Sequence, residues 1–346
     1  MFTEGRSLDM CRILVTGGAG FIGSHTCVAL INAGFSIVVM DNLSRSGEES
    51  LRRIKAITGT EPCFYKGDVC DKAAVERVFR ENDISAVIHF AGLKAVSESL
   101  AMPLMYYHNN VYGTMQLIDA MENAGCRKLV FSSSATVYGD RNDPPYTEEM
   151  MLSAVNPYGQ TKIMVEQILA DLCASQPEWS VAALRYFNPA GAHKSGLLGE
   201  SPFGVPSNLI PCIADTVTGK RNSLPVFGTD YNTADGTAVR DFIHVMDVAE
   251  GHIAALREYT DKRNGFRAFN LGTGKGSSVF EAVRAYEAVS GRMVPLELKP
   301  RRTGDTAISY ADPSRAETEL HWKARADLME MCEDSWRFIC RNPQGL

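Results

Sequence analysis

From Arg12 to Thr16 the chain runs Arg-Ile-Leu-Val-Thr, a short apolar strand, and breaks at once into Gly17-Gly18-Ala19-Gly20-Phe21-Ile22-Gly23. An apolar helical segment follows, roughly Ser24 to Ala33, and stops on Gly34. Ser36 to Met40 then forms a second predicted strand that ends at Asp41. A strand, a glycine turn, a helix and a second strand leave few architectures open, because the crossover helix returns the second strand parallel to the first. Gly17 permits the tight turn, Gly20 lets a pyrophosphate approach the backbone, and Gly23 lets helix and strand pack closely. The helix N-terminus offers unpaired N–H groups and a positive dipole end to phosphate. Asp41 at the strand end accepts from ribose hydroxyls and repels a 2′-phosphate, which points to NAD. Arg45 raises NADP as the alternative, but it lies in a Ser-Arg-Ser-Gly loop rather than at the strand end.

The same alternation continues. Cys63 to Lys66 leads into Gly67-Asp68-Val69 and a helix from about Ala73 to Glu81. Ala86 to Phe90 is a buried strand ending in Ala91-Gly92-Leu93-Lys94, followed by a long helix from Leu104 to Ala124 and a strand from Lys128 to Ser132. The helix of Tyr158 precedes a strand from Val181 to Tyr186. This repetition predicts an α/β fold: a doubly wound parallel sheet in a Rossmann domain, with a smaller, interleaved C-terminal substrate domain. We divide the chain into a disordered leader over 1–10, with Met10 as an alternative start, a dinucleotide domain over 11–187 and a substrate domain over 188–346. Segments near 240–270 return to the first domain. After Asn188 glycine and proline become dense, which marks a looped lid. At 346 residues, 45% hydrophobic and a net charge of −6, the chain has ample core and no footprint for nucleic acid. It has no membrane-length apolar run and no signal peptide. The nine cysteines and seven histidines show no ligand spacing, so we expect no metal, and buried free thiols such as Cys11, Cys27, Cys126 and Cys212 in a reducing, cytoplasmic setting.

Asn156-Pro157-Tyr158-Gly159-Gln160-Thr161-Lys162 supplies the chemistry. Asn156 suits a helix cap and Pro157 the first helical position, which puts Tyr158 and Lys162 on one face. Ionising a phenol at pH 7 costs about 4 kcal/mol. A lysine ammonium about 4 Å away at an effective dielectric of about 20 returns a similar amount. A Tyr158 phenolate is thus a feasible general base. Ser134, in Phe131-Ser132-Ser133-Ser134-Ala135-Thr136-Val137-Tyr138-Gly139, falls where a strand runs out at the carboxyl end of the sheet, where ligands of open α/β sheets bind. It can hold a sugar hydroxyl against the base.

Taken together, Thr16 to Gly23, Asp41, Gly67-Asp68, the Ser132 run and the Tyr158/Lys162 pair resemble the extended short-chain dehydrogenase/reductases. Phe90 to Val96, Ser132 to Gly139, Leu184 to His193, Arg240 to Asp247 and Arg301-Arg302-Thr303-Gly304-Asp305 narrow the resemblance to the UDP-glucose 4-epimerase family, from about Arg12 to Arg337. The resemblance implies a tightly held NAD that is reduced and reoxidised within one turnover. Tyr158 would take the sugar 4-hydroxyl proton with Ser134 bridging, and Lys162 would hold the phenolate and bind the nicotinamide ribose. It further implies cofactor contacts at Gly17, Gly20, Phe21, Ile22, Gly23, Asp41, Asn42, Ser46, Asp68, Val69, Phe90, Lys94, Asn109 and Tyr186. UDP-sugar contacts are implied at Asn188, Asn208, Leu209, Phe227, Arg240, Arg302 and Asp305. His244 we leave as structural, and Asp247 with Glu250 reads as a capping box.

At Ser309 bacterial members of the family commonly carry a bulky tyrosine, and members that accept N-acetylated sugars carry a small residue. The resemblance therefore implies interconversion of UDP-GlcNAc and UDP-GalNAc as well, unless Tyr310 fills the space. The predicted helix of Met115 is apolar on two faces, and that of Lys162 carries Met164, Ile168 and Leu172. A helix apolar beyond one stripe is covered twice, so we expect a homodimer through these two helices, as in the family. The rivals are a nucleotide-sugar 4,6-dehydratase, another extended short-chain dehydrogenase acting on a UDP-sugar, and a dinucleotide-sensing binding protein. The first uses an acidic pair where this chain has Ala135-Thr136, and the last tends to lack the tyrosine base.

Overall fold

A computed structural model of the chain describes residues 12–204, 206–302 and 304–346. The expected leader, Met10, Cys11 and Thr303 of the arginine motif lie outside these described residues. The strands β1 (Arg12–Thr16), β2 (Ser36–Asp41), β3 (Cys63–Lys66), β4 (Ile84–His89), β5 (Lys128–Ser134) and β6 (Ser180–Tyr186), with β11 (Gly265–Leu271), form one sheet. Its order is β3-β2-β1-β4-β5-β6-β11, and every pairing is parallel. The order reverses between β1 and β4, and such a switch point opens a crevice at the carboxyl ends.

Strand alternation sends Leu14, Val38, Val87 and Leu129 to one face and Val15, Val39, Ile88 and Val130 to the other. The first set packs on α3 (Lys72–Glu81), α6 (Gly113–Asn123) and α7 (Pro157–Ser175). The second packs on α1 (Phe21–Asn32) and α9 (Val245–Ala254). Each fully buried side chain of this kind stabilises the sheet by about 1.5–3 kcal/mol. Helices α2 (Glu49–Thr58), α4 (Val96–Ala101) and α5 (Pro103–Tyr106) complete the first layers.

A second set of small sheets begins where β6 ends: β7 (Asn188–Ala190) with β10 (Phe242–His244), β8 (Leu224–Phe227) with β13 (Leu296–Lys299), and β9 (Val239–Arg240) between β12 (Ser277–Ser278) and β14 (Ile308–Ser309). Helices α8 (Leu209–Val217), α10 (Val279–Ser290) and α12 (Leu328–Arg341) close a core around Ile213, Val226, Tyr286 and Met331, and α11 (Ser314–Glu319) lies against β11. The buried Asp241 carboxylate ties the two sets together. It accepts from Thr273 N (2.9 Å), Thr273 Oγ1 (2.6 Å), Gly274 N (3.1 Å) and Ala311 N (3.2 Å).

Several elements differ from their sequence expectation. Helix α1 starts at Phe21 rather than Ser24, because Gly20 already serves as its N-cap. The long helix from Leu104 to Ala124 is α5, a π-helical turn over Tyr107–Tyr112, and then α6. The Asp247–Glu250 capping box is not formed. His244 caps α9 by accepting from Met246 N (3.0 Å), which puts Asp247 inside the first turn, and its carboxylate accepts from Arg325 N and Ala326 N instead. A capping box is present at Ser278 and Glu281 on α10.

Candidate active site

The glycine turn between β1 and α1 is built as a cradle. Gly17 has φ +70°, and a Cβ on it would stand 2.6 Å from Ala91 N. A Cβ on Gly23 would meet Gly17 O at 2.3 Å, so helix and turn close only without a side chain there. Gly20 is open apart from Gly17 O at 3.3 Å. As N-cap it contributes no side-chain acceptor, and the first turn of α1 carries no acidic residue. The leading N–H groups of α1 thus remain available to an anion. At the end of β2 the Asp41 carboxylate accepts from Ala19 N (3.1 Å), Leu43 N (2.9 Å) and Ser46 Oγ (3.0 Å). Asn42 Nδ2 donates to Asp68 Oδ2 at 2.8 Å, which joins the ends of β2 and β3. Arg45 turns away and pairs with Glu98 at 2.5 Å, so it offers no free cation beside Asp41. Val69 is buried, and the Phe90 ring lies 4.6 Å from that of His252. The cradle fits an NAD-type dinucleotide. A further sign is the buried Tyr186 hydroxyl, which approaches Ser132 and Tyr158 without a hydrogen bond of good geometry.

On the same rim, β5 and α7 bring Ser134, Tyr158 and Lys162 together. Asn156 caps α7 by accepting from Gly159 N (2.8 Å), and Pro157 occupies the first turn, as the sequence predicts. Lys162 Nζ donates to Ser132 O at 2.7 Å and lies 4.8 Å from the Phe131 ring centroid. Ser134 Oγ accepts from Thr136 N (3.2 Å) and Thr136 Oγ1 (2.9 Å) and sits beside the Tyr158 phenol. Burial raises that phenol above its ordinary value, and Ser134 opposes the rise. Burial also brings the Lys162 ammonium down to about 8, against the pull of Glu166.

Lys162 Nζ stands 5.9 Å from the Tyr158 ring centroid. The Ser132 carbonyl holds it there. No carboxylate follows Ser134, where Thr136 fills the position.

The second layer assembles another group. Arg302 Cζ lies 4.6 Å from the Phe227 ring centroid, and its Nε donates to Asp305 Oδ2 at 2.9 Å. Arg240, on β9, is half-buried; burial lowers its pKa, while Asp305, Tyr231 and Tyr146 oppose and Arg302 adds to the fall. Ser309 pairs with Arg240 in the β9–β14 register. Asn208 Nδ2 donates to Glu200 Oε1 at 2.9 Å, and the same oxygen lies 3.5 Å from Lys94 Nζ, so one carboxylate joins a residue expected at the cofactor to one expected at the substrate. Asn188 is exposed and Leu209 opens α8.

Sequence reasoning passed over Asn110 and Tyr146. Asn110 accepts from Leu93 N (2.8 Å) and from Asn109 Nδ2 (2.9 Å) and donates to Leu93 O (2.9 Å) and Thr161 Oγ1 (3.1 Å). It clamps the Gly92-Leu93 loop to α7 from inside the π turn, a distortion that recurs at functional sites. Tyr146 brings its hydroxyl beside Ser309 and Thr306. Its only signal was an aromatic residue between prolines and acids.

Comparison with known proteins follows this geometry. Residues 14–335 match a family model described as GDP-mannose 4,6 dehydratase. A UDP-glucose 4-epimerase of Bacillus subtilis is 58% identical over 96% of this chain and 98% of its own. Among solved structures, a UDP-glucose 4-epimerase from Bifidobacterium longum, in complex with NAD+ and UDP, has a TM-score of 0.93 at 48% identity. The match covers 97% of this chain and 100% of that one. The UDP-Glc/GlcNAc 4-epimerase of Campylobacter jejuni has a TM-score of 0.84 at 37% identity, over 96% and 99% of the two chains.

Proposed function

The chain belongs to the UDP-glucose 4-epimerase family, and from that premise we propose that it interconverts UDP-glucose and UDP-galactose with NAD held at the β1–α1 cradle. The observation that carries the reading is the meeting of Ser134, Tyr158 and Lys162 on the rim that also holds Gly17, Gly20 and Asp41. NAD supplies a hydride acceptor and, once the 4-keto sugar has turned over, the donor that returns the hydride to the opposite face.

The protein's own part is proton and position. Tyr158 takes the proton of the sugar 4-hydroxyl and later gives it back to the same oxygen, with Ser134 hydrogen-bonded between. Lys162 supplies positive charge to the phenol and binds the nicotinamide ribose. Asp41, with Asn42 and Ser46, takes the adenosine ribose end, Asp68 and Val69 its base, and Phe90, Lys94, Asn109 and Tyr186 the remainder. Arg240 and Arg302 pair with the pyrophosphate, as arginine forks favour. Phe227, Asn208 and Leu209 enclose the uracil side, Asp305 takes its ribose, and Asn188 meets the sugar or phosphate. Concentrating the grip on UDP leaves the sugar free to turn. The division at Phe187/Asn188 into a dinucleotide and a substrate domain belongs to this reading.

Two finer assignments go with it. The small side chain of Ser309 leaves room for an N-acetyl group, so UDP-GlcNAc and UDP-GalNAc are substrates as well; the Campylobacter jejuni neighbour supports this. The protein is a homodimer through α6 and α7, the helices of Met115 and Met164, and both methionines are exposed there. Buried free thiols at Cys27, Cys126 and Cys212 support a reducing, cytoplasmic setting, and no described helix is long and apolar enough to cross a membrane. The test is incubation of purified protein with UDP-galactose, without added cofactor, and separation of the products. UDP-glucose is the expected product, and its absence from NAD-loaded protein refutes the reading.

A further inference from the structure

The middle serine of Ser132-Ser133-Ser134 has no place in the scheme above. Strand alternation points it away from Ser134, and its Oγ donates to Glu166 Oε1 at 2.5 Å inside the protein. Glu166 is one helical turn beyond Lys162 on α7, and its side chain is 4% exposed, as is that of its partner Arg185 on β6. Arg185 Nε donates to Oε1 (3.0 Å) and Oε2 (3.2 Å), and Nη2 to Oε2 (2.5 Å). Its remaining nitrogen donates to Tyr138 Oη (3.1 Å) and Glu148 O (3.3 Å). Every charged atom of the pair is therefore occupied.

A buried ion pair is a weak source of stability. Apolar residues of similar volume often do as well or better, whereas removing one partner strands a charge. What distinguishes this pair is its location, since it joins the three elements that carry Ser134, Tyr158, Lys162 and Tyr186. We infer that Glu166, held by Arg185 and Ser133, is a positioning residue for the reaction. It locks the end of β5 against α7 and supplies the negative charge that faces the Lys162 ammonium. The inference rests on the proposed role of Lys162.

The groups around Lys162 give the sign. Tyr158 and Glu166 face it from its own helix, the Ser132 carbonyl and the Phe131 ring from β5, and His89 from β4. Burial keeps His89 neutral, down to about 3, with Thr16 and Thr114 hydroxyls on its two nitrogens. Around Glu166 stand Ser133 from β5 and Arg185 from β6, with Tyr138 and Glu148 beyond Arg185. Glu166 is thus the acidic group that favours the charged form of Lys162, and losing it lets Lys162 give up its proton at lower pH.

The experiment compares Glu166→Gln, which removes the charge, with Glu166→Asp, which keeps it. Both are prepared as the NAD-bound protein. Lys162 is titrated by NMR of its labelled ε-carbon, assigned with Lys162→Met, and the pH profile of kcat on UDP-galactose is measured beside it. In the glutamine variant the Lys162 midpoint and the alkaline limb of kcat should both fall by at least about half a pH unit, with KM within about twofold. The aspartate variant should keep the parent's midpoint. Because the NMR titration needs no turnover, failure of the parent on UDP-galactose would refute the epimerase reading and leave this one to be judged. Should the glutamine variant not fold, the Glu166→Leu, Arg185→Met double variant removes both charges and is titrated instead. An unchanged midpoint in the folded variant, equal shifts in Gln and Asp, or failure of both charge-removing variants to fold would each reduce the pair to a structural strut and overturn the inference.

Discussion

Lys162 and Arg302 are both cations that the proposed reaction needs, yet one is 6% exposed and the other's side chain 55%. Around Lys162 the partners are fixed: a strand carbonyl, an aromatic face, and a carboxylate itself held by Arg185 and Ser133. Around Arg302 they are a short-range carboxylate three residues away and the face of Phe227. The rim of the sheet is preorganised, whereas the proposed nucleotide grip is open, as the proposed reaction asks of a site that admits substrate and lets its sugar turn. Preorganisation of donors and charges where the reaction occurs is the larger lever on rate, and the open grip is a lever on affinity.

The comparison can be broken at four points. Tyr158→Phe removes the proposed base and should lower kcat by roughly 10²- to 10⁴-fold with little change in KM. Turnover retained within tenfold would mean the rim does not carry the proton transfer. Next in size is acid sensitivity. His89 and His252 are buried and held neutral, with pKa values of about 3 and about 4 against an ordinary 6.5. The unfolded chain takes up protons on them as pH falls through 6.5, and the folded chain does not. Stability present above pH 6.5 is therefore lost on acidification, by up to about 3 kcal/mol for each by pH 4. A thermal midpoint flat between pH 6.5 and 4.5 would show that the floor under the site is not held as described.

Arg302→Ala should raise KM for UDP-galactose about tenfold, near 1.4 kcal/mol, and leave kcat within about threefold. A loss confined to kcat would move Arg302 to the reacting end. The smallest effect is in specificity. Ser309→Tyr should cut turnover of UDP-GalNAc at least about tenfold relative to UDP-galactose, a ratio worth about 1–2 kcal/mol. Equal loss of both would mean that Tyr146, which already approaches Ser309, sets the wall.

Local signals were legible in the sequence, and contacts across the chain were not. The β1–α1–β2 unit, Asp41 at its strand end and the Asn156 cap each depend on neighbours within a few residues, so composition and spacing reveal them. Ser133, Glu166 and Arg185 lie on three separate elements, and the unremarkable pattern around each offers nothing to pair. Asn110 acts through a π turn that apolar periodicity reads as plain helix. Asp247 misled because an acid three residues before another acid imitates a cap, while the true cap, His244, is defined by where β10 hands over to α9. The Ser132 carbonyl that holds the Lys162 ammonium is likewise a contact across the chain, from β5 to α7.

The last strand of the main sheet, β11, joins β6 only after the whole span from Asn188 to Asn264 has intervened. Synthesis delivers the N-terminal part first, so β6 emerges with one row of backbone groups bare and waits while the span is made. Such an uncovered edge invites pairing with a stranger. A chain truncated short of Gly265 would keep that edge bare.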